Sequence, residues 1–329
     1  MIRQLPKGPQ MARSLRTVAA LAALLLVSGC GGGAVASPPT PEAGVGGIRV
    51  VASTSVYADV ARAVGGDRVD ATAIIDKTSQ DPHSYEATVR DKLAVSRADL
   101  VIANGGGYDV FIDALAGSLK LAPDTIISVV GLDSEAHDTH AEGSSAEAAS
   151  GHDHGGANEH VWYDPHVVAE LADTLAARFS ALEPEFSERF AANARKFSAG
   201  TEKIERRLEN LTAGGGSKSF AMTEPVPYYL LTEAGMKDAT PEGLGEAMES
   251  GGDVPPLLLK RLSDGLRSGA YDVFAYNSQT SGPQTEAARK VAEQYGVPIL
   301  DFTETLPAGD SYLSWMNDNV NHLEAALEH

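Results

Sequence analysis

From Ile48 onward, short apolar runs of strand length alternate with segments whose apolar residues recur at helical spacing. "IRVVAS" predicts a strand, and Val56 to Val64 a helix closed by Gly65 and Gly66. "VDATAII" is the next strand, Val89 to Ser96 a helix, "DLVIAN" a strand, Val110 to Leu119 a helix and "TIISVV" a strand. The rhythm returns after Ala213 to Gly216. There "SKSFAMT" is followed by a helix near Tyr228 to Glu233, a helix over Pro256 to Ser268, "YDVFAYN", a helix over Glu286 to Tyr295, "VPILDF", and a closing helix from about Ser311 to Leu327. Such alternation predicts α/β architecture, with parallel sheets covered by helices on both faces. Its two runs predict two lobes, residues 48–183 and 212–329.

Between the runs, Pro184 to Leu211 places Phe186, Phe190, Phe197, Ile204 and Leu208 at spacings of four and seven, with no proline after the first residue. This is the pattern of one long amphipathic helix, interrupted only by Gly200, which disfavours helix. A crossover of that length is expected to act as a rigid link between the lobes, with a ligand gripped in the cleft without a large closing motion.

Two segments stand outside the rhythm. At the start, Arg3, Lys7, Arg13 and Arg16 precede the apolar stretch Val18 to Val27, which is too short to span a bilayer and has the form of a secretory signal over residues 1–29. "LVSGC" then presents Cys30, the only cysteine of the chain, behind small residues. A single cysteine makes no internal disulfide. The motif resembles a bacterial lipobox, which implies that Cys30 is lipidated and anchors the protein to the membrane outside the cytoplasm. The Gly, Pro, Ala and Ser-rich residues up to Gly47 would be its flexible tether.

The second exception is Gly131 to His160, which carries His137, His140, His152, His154 and His160 with seven acidic residues and no Lys or Arg. Beyond Leu132 it has no large apolar residue to bury, so a mobile loop over residues 131–159 is expected, its histidines collecting metal. The net charge of -19 excludes a nucleic-acid binder, which needs basic clusters, and makes the surroundings attractive to cations.

Open α/β sheets bind ligands where loops converge at the carboxyl ends of strands. His83 follows "VDATAII", Glu224 follows "SKSFAMT" and Glu304 follows "VPILDF", while His160 closes the His-rich segment. Two imidazoles and two carboxylates from four loops suit a divalent transition metal. Each has an ordinary alternative. Glu224, between Thr223 and Pro225, also fits a helix start, Glu304 a solvated acid with Asp301 nearby, and His166 competes with His160.

"DPHSYEAT", "EHVWYDPHVV", "AMTEPVPYYL" and "DFTETL" followed by "GDSYLSWMNDNV" resemble, in order and separation, the zinc- and manganese-receptor lipoproteins of ABC importers. The likeness covers nearly everything after the tether. It implies that His83, His160, Glu224 and Glu304 stand at the metal-ligand positions and that the long helix is the family's rigid inter-lobe helix. It also implies a monomeric, non-catalytic receptor that hands its cargo to a permease driven by a cytoplasmic ATPase. Ala87 replaces a common proline, and Glu304 stands where aspartate is usual. A glutamate at the third position points to Mn²⁺. The His-rich segment and the preference of imidazole point to Zn²⁺, which is favoured. The alternatives are a secreted zinc hydrolase, for which the chain has no "HExxH", and a surface adhesin.

Overall fold

The computed structural model describes residues 47–132, 158–211 and 217–328. The first lobe runs β1 (Ile48–Thr54), α1 (Ser55–Gly65), β2 (Val69–Ile75), α2 (Val89–Val95), β3 (Leu100–Ala103), α3 (Val110–Leu119) and β4 (Ile126–Ser128). Two helices follow, α4 (Pro165–Leu182) and α5 (Ser187–Leu211). The second lobe runs β5 (Ser219–Met222), α6 (Tyr228–Glu233), β6 (Lys237–Asp238), α7 (Leu244–Glu249), α8 (Pro256–Ser268), β7 (Val273–Asn277), α9 (Pro283–Tyr295), β8 (Ile299–Phe302) and α10 (Tyr312–Leu327).

Every strand pair is parallel, and the two sheets share one order, β2-β1-β3-β4 and β6-β5-β7-β8. The continuous apolar runs explain this, because β3 and β7 are buried along their whole length, as strands covered on both faces must be. In each sheet the order reverses next to the first strand, so the loops leaving the strand ends open into a crevice there.

The elements follow the alternation closely, and the departures have local causes. β4 starts after Thr125 because Pro123–Thr125 forms a tight helical turn, and it ends at Ser128, although Val129 and Val130 still donate to the carbonyls of Ala103 and Asn104 at 2.9 Å. α9 begins at Pro283, where the fixed φ of proline suits a first helical turn and the Gly282 amide donates to Thr285 Oγ1 at 2.8 Å. β6 and α7 were not expected. The first has two residues, and the second is a short helix between Gly243 and Gly251, both at positive φ.

α5 begins after a tight turn at Pro184–Phe186 and passes through Gly200 unbroken. A Cβ at Gly200 would lie 2.6 Å from Leu313 Cδ1, so the glycine lets α10 lie close against the long helix. Phe190, Ala194, Phe197, Thr201, Ile204 and Leu208 form its buried face. All of these but Thr201 belong to a single apolar cluster that also contains Val50 and Ile102 of the first sheet and Met222 and Phe302 of the second. The helix is therefore packed into both lobes along its length. Truncating a residue such as Phe197 would open a cavity costing about 3–5 kcal/mol. Arg68 adds a two-pronged ion pair to Glu183, at 2.8 Å on both prongs.

The signal segment, Cys30 and nearly all of the tether, together with His137, His140, His152 and His154, lie outside the described residues. Among those described, no helix is long and apolar enough to cross a membrane.

Candidate metal centre

His83 leaves the end of β2 on a turn built by its own neighbours. Asp81 accepts the His83 amide at 2.9 Å and the Ser84 hydroxyl at 2.6 Å, an Asx-type turn that the following proline reinforces. The imidazole meets the Tyr108 ring edge-on at 4.9 Å. Tyr108 is itself set by the loop after β3, where Asp109 accepts from the amides of Asn104 and Gly105 at 2.6 and 2.9 Å.

His160 is fully buried against Trp162, with ring centroids 5.1 Å apart. Its Nδ1 donates to Asn158 Oδ1 at 2.6 Å, which leaves the lone pair on Nε2 facing the cleft. That Nε2 has no hydrogen-bond partner. Asn158 is fixed from the other lobe, since its Nδ2 donates to the Pro225 carbonyl at 2.8 Å and its carbonyl accepts from Tyr229 at 2.6 Å.

Glu304 enters from the loop after β8 and is fully buried. Asn277 Nδ2 donates to one carboxylate oxygen at 2.8 Å and the Tyr108 hydroxyl to the other at 3.1 Å. Its Oε2 lies 3.9 Å from His83 Nε2. His83, His160 and Glu304 each bring one potential ligand atom within 4.8 Å of the others. Loops of both lobes thus meet at one point. Gln279 fastens them: its side-chain amide donates to the Gln80 carbonyl at 2.7 Å, while its oxygen accepts from the Glu304 and Thr305 amides at 3.0 and 3.2 Å.

The other candidates separate clearly. Glu224 is buried beside this group but engaged, accepting from Asn277 Nδ2 at 2.6 Å and Thr280 Oγ1 at 2.5 Å, and it is not in the donor cluster. Asn277 joins it to Glu304. Asp301, the expected substitute for Glu304, is excluded from the site because it lies on β8 facing outward and pairs with Arg289. His166 is exposed at the start of α4 and lies 3.5 Å from Glu170.

Glu249 was not anticipated. The last residue of α7, it brings Oε1 to 3.4 Å from His160 Nε2 and 3.6 Å from His83 Nε2, and that oxygen makes no hydrogen bond. With His83 and Glu159 it forms a second potential ligand group. The available signal was faint. Leu244 and Met248, four apart, are the buried pair of a short helix, and nothing in that pattern singles out Glu249.

Burial governs the charge states. His160 is held well below the usual histidine range by desolvation and then by His83, so its imidazole is neutral as ligation requires. Glu304 is pushed up to about 8, chiefly by burial and against the relief given by Asn277, with the nearby acids Glu224 and Asp81 adding to the rise. Glu249 is also pushed up to about 8 by burial and by Glu159, Glu224 and Glu304, and Glu224 is raised by burial. Several acids crowded out of water around neutral imidazole nitrogen suit one divalent cation that neutralises them together.

The model of the ZnuA family, described as zinc-uptake complex component A, periplasmic, matches residues 50–326. The iron ABC transporter substrate-binding lipoprotein MtsA of Streptococcus pyogenes serotype M1 is 24% identical over 305 residues, covering 85% of this chain and 89% of its own. The manganese ABC transporter substrate-binding lipoprotein PsaA of Streptococcus pneumoniae serotype 4 is 24% identical over 306 residues with the same coverage. Among solved structures, the periplasmic zinc-binding protein TroA from Treponema pallidum superposes with a TM-score of 0.69 at 16% identity, over 86% of this chain and 99% of that one.

Proposed function

The chain belongs to the ZnuA family of periplasmic zinc-uptake components, and from that premise we propose how it holds its cargo: His83, His160 and Glu304 grip one divalent transition metal ion between the lobes, and Glu224 completes the set. The protein is an extracytoplasmic metal receptor serving an ABC importer. The observation that carries the ligand assignment is the meeting of three donor atoms from both lobes, with a fully buried Nε2 of His160 that no hydrogen bond satisfies. Glu224 is tied to Glu304 through Asn277, and on this reading it gives up its bond to Thr280 to join the ion. The role is binding rather than turnover. A receptor surrounds its ion with protein donors, whereas a zinc hydrolase must keep a position open for water.

Zinc is the proposed cargo. Two imidazoles favour it over manganese in a mixed nitrogen and oxygen site, and raw affinity runs in the same direction. Metal analysis of the purified protein, with Zn²⁺ and Mn²⁺ competing for the site, tests this, and preferential retention of Mn²⁺ would reverse it. Uptake measured in cells lacking the receptor tests the transport role. Undiminished metal uptake would count against it.

Delivery goes to a membrane permease, driven on the proposed reading by a cytoplasmic ATPase and served by a monomeric receptor. The lipidated Cys30 is the proposed anchor. Cys30→Ala should therefore move the protein from the membrane to the soluble fraction with its zinc affinity intact, and retention in the membrane fraction would refute the anchor. His137, His140, His152 and His154 are proposed to collect extra zinc weakly, because ordering a polar segment costs entropy that a few ligands barely offset. Deleting Asp133 to Gly156 should lower zinc stoichiometry while the tight dissociation constant stays within about threefold. Loss of the tight site in that variant would place one of these histidines among its ligands.

A further inference from the structure

His83 belongs to two donor groups. One, with His160 and Glu304, has two fully buried members, and the other, with Glu159 and Glu249, consists of three partly exposed residues. The groups are neighbours rather than alternatives. Glu249 Oε1 is within 3.6 Å of His83 Nε2 and 3.4 Å of His160 Nε2, so one carboxylate oxygen faces a donor of each. Glu159 is the residue immediately before His160, and its carbonyl is held by Asn104 Nδ2 at 3.0 Å. The outer group therefore shares His83 and the chain segment of His160 with the inner one, adds Glu249 from the end of α7, and lies nearer to solvent.

We propose that the outer triad, His83, Glu159 and Glu249, is an entry site for the metal ion, from which the ion moves inward to His160 and Glu304 while His83 stays bound. The inference rests on the metal-receptor reading above. A hydrated divalent cation loses its waters stepwise, and the inner group, with His160 and Glu304 fully buried, offers little room for that exchange. An outer position with two carboxylates can replace some waters first, leaving the ion to trade Glu159 and Glu249 for His160 and Glu304. No ligand change in this path leaves the cation without a protein donor. Glu249, facing both histidines, is the residue that spans the two positions. In this path the ion releases Glu249 on moving inward, so removal of that carboxylate should act on rates more than on affinity.

The test uses the purified full chain, Zn²⁺ alone as the probe, and a chromogenic zinc chelator to read capture and release by stopped flow. Glu249→Gln and Glu159→Gln should each slow both capture and release by about tenfold, with the equilibrium dissociation constant within about threefold of the parent. Unchanged rates in both variants would overturn the proposal. So would a Glu249→Gln variant that binds at the parental rate but at least about tenfold more weakly, since Glu249 would then be a permanent ligand. A second measurement does not depend on rates. In His160→Ala the outer triad is intact, and it should retain one weak zinc equivalent that disappears in His160→Ala/Glu249→Gln. Equal stoichiometry in those two variants would also overturn the entry site. A parent that fails to bind Zn²⁺ would instead remove the receptor reading on which the proposal stands, so the two failures are distinct.

Discussion

His160→Ala is expected to weaken zinc binding by more than about a hundredfold, because residues that merely orient a ligand already contribute ten- to a hundredfold. The substitution removes the one donor whose environment is prepared for a metal in every respect. The ring is buried, its pKa is held low so that it stays neutral, and Nδ1 is occupied by Asn158, which directs the Nε2 lone pair into the cleft. Water filling the space cannot restore that donor, because it brings no equivalent fixed orientation. The fold should survive. The loss of one hydrogen bond and some ring packing costs about 1–3 kcal/mol, and the surrounding loops remain tied across the lobes by Gln279. Competition titration against a chelator of known affinity decides the matter. A dissociation constant within about tenfold of the parent would remove His160 from the ligand set.

Sequence periodicity carried most of the architecture. Strands such as β3 and β7 are apolar throughout because both faces are covered, and α5 shows its buried face at spacings of three and four. His83, His160 and Glu304 could be singled out as candidates because each lies just beyond a strand end or a segment boundary, where α/β folds gather their loops, and the fold brings them together. What stayed hidden depends on contacts between distant parts of the chain. Glu249 sits on a six-residue helix too short to show a period, and it reaches the histidines only because the second lobe folds over the first. Asn158, Asn277 and Gln279 are ordinary loop amides in the sequence. Their role as clasps emerges when donors more than fifty residues apart meet, as in Gln279 with Gln80 or Asn277 with Glu224. What separates Glu304 from Asp301 is likewise tertiary, since Arg289 holds Asp301 on the outer face.

Glu304→Gln is expected to separate stability from function, making the metal-free protein more stable at pH 8 while it loses tight zinc binding. In the folded metal-free state the carboxyl is pushed up to about 8 by burial, whereas in the unfolded chain it titrates near the ordinary 4.5. The folded state therefore holds the proton more tightly, so stability is fully present below about pH 4.5 and is lost as pH rises through about 8. Glutamine cannot ionise and escapes that loss. It can still accept from Asn277 through its oxygen, while its amide faces the Tyr108 hydroxyl as a donor. The gain over the parent should be small at pH 5 and on the order of 2 kcal/mol at pH 8, below the full value of a shift this large because neighbouring acids also relax. For a chain of this size that corresponds to a rise of about 3 °C in Tm. Zinc should reverse the order. At a hundred times its dissociation constant it stabilises the parent by about 2.7 kcal/mol and the variant far less. Thermal melts at pH 5 and pH 8, each with and without zinc, measure both effects. A variant no more stable than the parent at pH 8 would show that Glu304 is not a strained acid in the empty site, and one stabilised by zinc as strongly as the parent would show that it is not a ligand in the filled one.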